Sequence, residues 1–350
     1  VKGLEWIDIT YSNGSQAGRI TALIAIIVVI SGAIAFSIGY FTFLNPITPE
    51  MPTIPTTTLP EIPTITLPNA TEIHSPLFID GDDELVSIAL QEEWPGEGTP
   101  SSPYVIQGLE ISSNETCIYI INIVEIHVVI RNCIFYSTNE WYGAGVEIWE
   151  TSNVRVETCI FYGSGWGVNF VMSQNCGISN SIIQGTEFGV NVSFSEFIHV
   201  RNVIVCNNTA GMLIDNSVEV VIRDNQVFRN EYSIDLWYVS NSVLKNNNVT
   251  NNQNGILIAG PGSNVTVLEN TMTDNTGNGL ELGEYASFIH VVGNRFGWNL
   301  DYNAVDNGTN NMWDDGVRIG NAWSDYNGDG GYVLPGSAES IDHYPSLYER

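Results

Sequence analysis

The chain has 350 residues, of which 43% are hydrophobic and 14% charged, and its 39 acidic against 11 basic side chains give a formal net charge of −28. That apolar content supplies a core and excludes global disorder. The scarcity of cations excludes a general nucleic-acid binder, which needs many phosphate contacts, and argues against docking on anionic lipid through a basic patch.

Residues 1–19 carry Lys2 and Arg19. Ile20 to Leu44 then runs for 25 residues without a charge, long enough as a helix to cross a ~30 Å hydrocarbon layer. Tyr40, Phe41 and Phe43 stand at its far end, where an interfacial aromatic belt belongs. The run is longer than the apolar core of a cleaved signal peptide, so the expectation is a retained single span. The bases before it place residues 1–19 in the cytoplasm. Residues 45–68 hold seven Pro and seven Thr, which prevents a helix and predicts an extended extracytoplasmic linker over 45–74. Seven Asn-X-Ser/Thr triplets follow the span, at Asn69, Asn114, Asn191, Asn207, Asn248, Asn264 and Asn307. Together they fit a glycosylated domain outside the cell.

From residue 75 onward the dominant signal is a repeat. Gly145-Val-Glu-Ile, Gly167-Val-Asn-Phe, Gly189-Val-Asn-Val, Gly211-Met-Leu-Ile, Ser233-Ile-Asp-Leu, Gly255-Ile-Leu-Ile and Gly279-Leu-Glu-Leu start 22, 22, 22, 22, 22 and 24 residues apart. Each reads as a short alternating strand after a turn-forming small residue. Between them lies a second ladder, apolar-x-x-(Asn or small)-x-apolar. Its fourth position is Cys133, Cys159, Ser181, Val203, Asn225, Asn247, Asn270 and Asn294, and Phe135, Phe161, Ile183, Val205 and Val227 begin the apolar column two residues on. A single 22-residue coil cannot bury its apolar face, whereas stacked coils share one core. Leu-x-x-Leu-x-Leu is absent, which excludes a leucine-rich repeat. Stacked Asn at 225, 247, 270 and 294 are expected to be structural.

The period and its Asn turns resemble the right-handed β-helix repeats of the pectin-lyase-like superfamily. Two flanking segments, Trp94-Pro-Gly-Glu-Gly-Thr-Pro-Ser-Ser-Pro-Tyr-Val-Ile-Gln-Gly-Leu-Glu-Ile111 and Gly320-Asn-Ala-Trp-Ser-Asp-Tyr-Asn-Gly-Asp-Gly-Gly331 with Asp342-His-Tyr-Pro345, resemble the narrower NosD-like β-helix proteins. The fold class expected is therefore all-β: a right-handed parallel β-helix over 75–350, with an N-terminal cap at 75–111, coils at 112–300 and a C-terminal cap at 301–350. The superfamily hosts lyases, hydrolases, epimerases and non-enzymes, so the resemblance implies fold more than function. NosD-like kinship implies copper-site assembly. Copper needs thiolate, thioether or imidazole ligands gathered together, but the five His (74, 127, 199, 290 and 343) fall on different coils. Cys133 and Cys159 share a ladder position and read as a buried thiol pair, with a disulfide or metal pair as alternatives. Cys117, Cys176 and Cys206 have no partner by register.

Several residues are candidates for chemistry. Glu147, Asn169, Asn191, Leu213, Asp235, Leu257 and Glu281 point outward from the Gly-Val-x-Ile ladder. Asp215 and Asp235 lie one coil and two positions apart, about 8 Å, inside the ~6.5–9.5 Å window of inverting glycosidases. Arg201, Arg223 and Lys245 stack on three successive coils, a stripe suited to an acidic sugar polymer or to pairing with nearby acids such as Asp224. Trp149 and Trp237 occupy equivalent positions, with Trp141, Trp166 and Tyr238 at strand edges, as sugar-stacking platforms or as packing under loops. Asp325, Asn327 and Asp329 form the first half of a calcium loop, but Gly336 stands where the full motif has Glu. A partial calcium site completed by Asp342 or a carbonyl is one reading, and a turn-rich cap the other. The expected function is carbohydrate binding or a structural role at the cell surface. A polysaccharide lyase, hydrolase or epimerase is the alternative, and copper-site assembly a further one.

Overall fold

The computed structural model describes residues 72–137, 143–163 and 165–350. The expected span at 20–44, the linker up to residue 71, Asn69 and Trp141 lie outside them. Among the described residues no helix is long and apolar enough to cross a membrane.

The chain winds into a parallel β-solenoid. Three sheets of twelve, ten and nine strands form its walls, and each takes every third strand in sequence until the C-terminal end of the twelve-stranded sheet. One rung shows the path: Ala210–Asp215 in the ten-stranded sheet, Val221–Arg223 in the nine-stranded, Gln226–Phe228 in the twelve-stranded, and Tyr232–Trp237 back in the ten-stranded one rung later. Register is without offset. Ile111, Phe135, Phe161, Ile183, Val205, Val227, Val249, Met272, Phe296 and Trp323 pair in one file. Each is no more than 1% exposed, so the expected interior column is confirmed. Phe135 stacks on Phe161 at 5.0 Å and Phe296 on Trp323 at 4.5 Å. Burying each such side chain contributes about 1.5–3 kcal/mol, and no coil could bury it alone.

The second ladder of the sequence is two sheets, not one. The Asn position is a corner between the nine- and twelve-stranded sheets. The residue before it, Asn202, Asp224 or Asn246, takes positive φ and swings the next side chain inward. Asn225 Nδ2 then donates to Val200 O on the rung before (3.1 Å) and to Asn247 Oδ1 on the rung after (2.9 Å). The chain of amides continues through Asn270, Asn294 and Asn321. Buried amides satisfied in this way avoid the cost of an unpaired polar group, which accounts for Asn in the interior.

A second interior file stands at the next corner, where Asn208, Asn230, Asn252, Asn275 and Asn299 bond head to tail. The small residues Gly145, Gly167, Gly189, Gly211, Ser233 and Gly255, expected before the strands, lie second within the strands of the ten-stranded sheet. A Cβ on Gly189 would strike Gly211 O of the next rung and come within 2.8 Å of Val205 Cγ1, so glycine is required by close approach.

The ends differ from the expected caps. Glu72–His74, assigned above to the linker, pairs with Leu109–Ile111. Helix α1 (Asp82–Gln91), which sequence reasoning missed, buries Leu85 and Ala89. Asp82 holds it to the solenoid by accepting from the Val124 and Glu125 N–H groups at 3.2 Å each. Within 301–350, Ala304–Asp306, Ala322–Trp323 and Ser346–Leu347 extend the sheets.

Candidate functional site

Two outer walls carry the candidate residues. On the nine-stranded sheet, Arg201 pairs in register with Arg223 and Arg223 with Lys245. Strand spacing places them about 4.8 Å apart along the solenoid axis. Arg131 and Arg155 point from the same wall, so five of the chain's 11 bases share it. Arg131 donates to Gln107 Oε1 at 3.0 and 2.9 Å, and Arg155 meets Glu157 at 3.2 Å. Arg223 lies 3.3 Å from Asp224 and Lys245 3.2 Å from Glu269. These pairs are exposed, and such pairs contribute only about 0–1 kcal/mol. Arg201 is exposed and has no ion pair among the described residues. Beside the cations runs a file of His199, Val221 and Val243. Burial first, then the Arg223 charge, hold the His199 imidazole below its ordinary pKa.

On the ten-stranded sheet, Glu147, Asn169, Asn191, Leu213, Asp235, Leu257 and Glu281 stand in one file, in which Asn169, Asn191 and Asp235 are buried. Glu147 accepts from Thr116 Oγ1 (3.1 Å) and Asn169 Nδ2 (3.2 Å), yet burial still raises its carboxyl. Asp235 sits between Leu213 and Leu257 on the adjoining rungs and is 2% exposed. Neither carboxylate oxygen has a hydrogen-bond partner. Burial, then the charge of Glu281, push its pKa up to about 7. The Asp215 carboxyl is also raised by burial, against hydrogen bonds from Asn216. Asp215 pairs in register with Trp237, which places it one rung and two positions from Asp235. Trp149 and Trp237 do share a file, but Val171, Ser193 and Asp215 separate them. At about 19 Å they form no continuous platform. Tyr238 is exposed at a positive-φ corner. Stacked outer aromatics do occur elsewhere: Trp166 lies on Phe188 at 4.3 Å and Tyr136 on Tyr162 at 5.3 Å. Their 22- and 26-residue spacings were visible in the sequence and went unread.

The half calcium loop is spent on structure. Asp325 Oδ1 accepts from Asn303 Nδ2 at 2.8 Å, and Oδ2 from the Tyr332 hydroxyl at 3.1 Å. Asn327 Oδ1 accepts the Asp329 N–H in a local turn. Asp342 is engaged by protein donors. It is buried at the end of the first amide file and accepts from Asn321 N–H (2.7 Å), Trp323 Nε1 (2.9 Å) and Tyr344 N–H (3.0 Å).

Among the described residues no three His, Cys, Asp or Glu side chains converge as metal ligands would. His290 and His343 meet only through Asp314, whose backbone oxygen faces one imidazole and whose carboxylate faces the other. All five cysteines are free and buried. Burial lifts Cys117 and Cys176 to about 12 and Cys206 to about 11, away from the thiolate that a metal needs. Cys159 is raised well above the ordinary thiol range by burial and by the Cys133 thiol beside it, whereas that same contact lowers Cys133. This leaves one thiol of the pair as a lone donor with no further ligand gathered around it among the described residues. These residues do not fit a copper site.

Of the sequons, Asn114, Asn207, Asn248 and Asn264 are exposed and Asn307 is half-buried. Asn191 is the exception. It is 3% exposed, and its Nδ2 donates to Asn169 Oδ1 at 2.8 Å and Ser193 Oγ at 3.1 Å, so its amide is engaged inside the folded wall.

No individually curated protein matches the chain. Among solved structures it is similar to a mannuronan C-5 epimerase A-module of Azotobacter vinelandii, at 14% identity, TM-score 0.48, and coverage of 77% of this chain and 79% of that one. It is also similar to a periplasmic alginate epimerase at 16% identity, TM-score 0.46, covering 69% and 84%. A third similarity is to the Dettilon tailspike protein, at 15% identity, TM-score 0.42, covering 73% and 60%. The family model described as periplasmic copper-binding protein (NosD) matches residues 108–328, well over half of the chain, and the chain belongs to the NosD family.

Proposed function

We propose that the solenoid is a carbohydrate-recognition module, held at the cell surface by one membrane span and binding polysaccharide along its outer walls. The observation that carries this reading is the in-register file of exposed Arg201 and half-buried Arg223 and Lys245 on a wall fixed by its backbone ladder. A preorganised flat surface binds a repeating ligand without ordering loops first. Anchorage is supported by the uncharged stretch at 20–44 and the Pro/Thr-rich segment after it. The test is a glycan array probed with the full chain in neutral detergent. Binding to a defined set of polysaccharides is expected, and a blank array overturns the reading.

Asp235 favours a second reading, in which the module also cleaves glycans. The Asp235 carboxyl is raised toward neutrality by burial and lies one rung and two positions from Asp215, so it has the character of a general acid with a partner base. The role requires the wall to open, since Asp235 is 2% exposed. Release of new reducing ends that Asp235→Asn abolishes is the outcome this reading requires. Binding without product release leaves recognition alone.

A further inference from the structure

The nine-stranded wall specifies more than a sign of charge. Arg201, Arg223 and Lys245 form a single file along the axis, while Arg155 stands in the neighbouring file two rungs before His199. Two positions back on each strand the outward residues are His199, Val221 and Val243, so no second cation lies across the rung. The file is also bounded, by Ser179 on the rung before Arg201 and Leu268 on the rung after Lys245. An anionic polymer lying along a strand would meet one cation. Lying along the axis it meets three, while its rings rest on Val221 and Val243. The two acids beside the file, Asp224 and Glu269, hold Arg223 and Lys245 only through exposed pairs. Pairs of that kind yield to a ligand at little cost.

Resting on the surface-recognition reading, we propose that Arg201, Arg223 and Lys245 form a three-subsite cradle for a linear acidic polysaccharide that carries one anionic group per sugar and lies parallel to the solenoid axis. Arg201 is the anchor, since no acid competes for it among the described residues. Asp224 opposes binding at the middle subsite.

The test is titration of the full chain, in neutral detergent, with uronate oligosaccharides of two to six sugars and with sulfated oligosaccharides of matched length. Affinity should climb by about tenfold or more up to three consecutive anions and then level off, and it should fall as salt is raised. Arg201→Ala should weaken binding more than Arg223→Ala or Lys245→Ala, and the triple variant should lose at least about tenfold. Asp224→Asn should tighten binding. The uronate and sulfate arms identify which anion the cradle takes.

Affinity that ignores oligomer length, or an unchanged triple variant, overturns the proposal. So does single-stranded DNA of matched charge binding equally well, since that is unselective ion attraction. Neutral polysaccharide bound equally by the wild type and the triple variant removes the acidic cradle but keeps surface recognition. Failure of every glycan removes both.

Discussion

Trp323 donates its indole N–H to Asp342 Oδ2 at 2.9 Å, deep in the last turn of the solenoid. The same oxygen accepts from the Asn321 N–H, and Oδ1 takes the Tyr344 N–H. Asp342→Ala would strand buried donors, each costing about 1–3 kcal/mol, so a loss of several kcal/mol is expected in denaturant unfolding. Because Asp342 and Asp325 are both committed to protein donors, added calcium or chelator should leave the melting temperature unchanged. A calcium-dependent rise would restore the cation site that these contacts displace.

Gly189 is a second sensitive point. Gly189→Ala drives a Cβ against Gly211 O and Val205. The expected cost is about 1–3 kcal/mol, read as a lower midpoint with an unchanged slope in urea. A neutral substitution would mean that the wall yields more readily than its register implies.

Asp235 makes a pH prediction with a definite sign. Its folded pKa of about 7 lies above the ordinary 3.8. Between those values the unfolded chain gives up a proton that the folded chain keeps. Stability therefore falls as pH rises through that window and stays lower above it. Calorimetry at pH 5 and pH 8 should show a smaller difference in melting temperature for Asp235→Asn than for the wild type, with the variant the more stable at pH 8. Parallel pH profiles for the two proteins would show that the carboxyl is not shielded as its leucine neighbours require.

Anchorage can be tested on intact cells. Mild protease should release a fragment that begins between about residues 45 and 75, as expected for a Pro/Thr-rich tether exposed outside the membrane. An untouched chain would overturn the single-span proposal.

The interior was legible because two periodicities coincide, alternation along each strand and a 22-residue return between strands. Phe135 to Val227 could be filed from the sequence for that reason. The third sheet was hidden because its corner takes a single positive-φ residue, such as Asn202 or Asp224, and leaves the apolar pattern unbroken. The file from Asn208 to Asn299 carried the same spacing as the file that was recognised, so its signal was present. The acidic first turn of α1, Asp82-Asp83-Glu84, was equally available. Among the site residues, the stacking of Arg201, Arg223 and Lys245 follows from spacing alone. Their different ion pairs depend on corner residues, Asp224 beside Arg223 on its own rung and Glu269 on the rung after Lys245. The state of Asp235 depends on Leu213 and Leu257, which lie 22 residues away on either side and become neighbours only once the coil is wound.

Both amide files run one way: each Asn hands its Nδ2 proton to the following rung and receives one from the rung before. An interior coil is therefore interchangeable with its neighbours in hydrogen-bond valence, and the molecule can be lengthened or shortened by whole coils there. The last coil is not interchangeable. A carboxylate only accepts, so Asp342 and Asp325 halt the relay, and that end of the stack offers no donor in either file to recruit another copy.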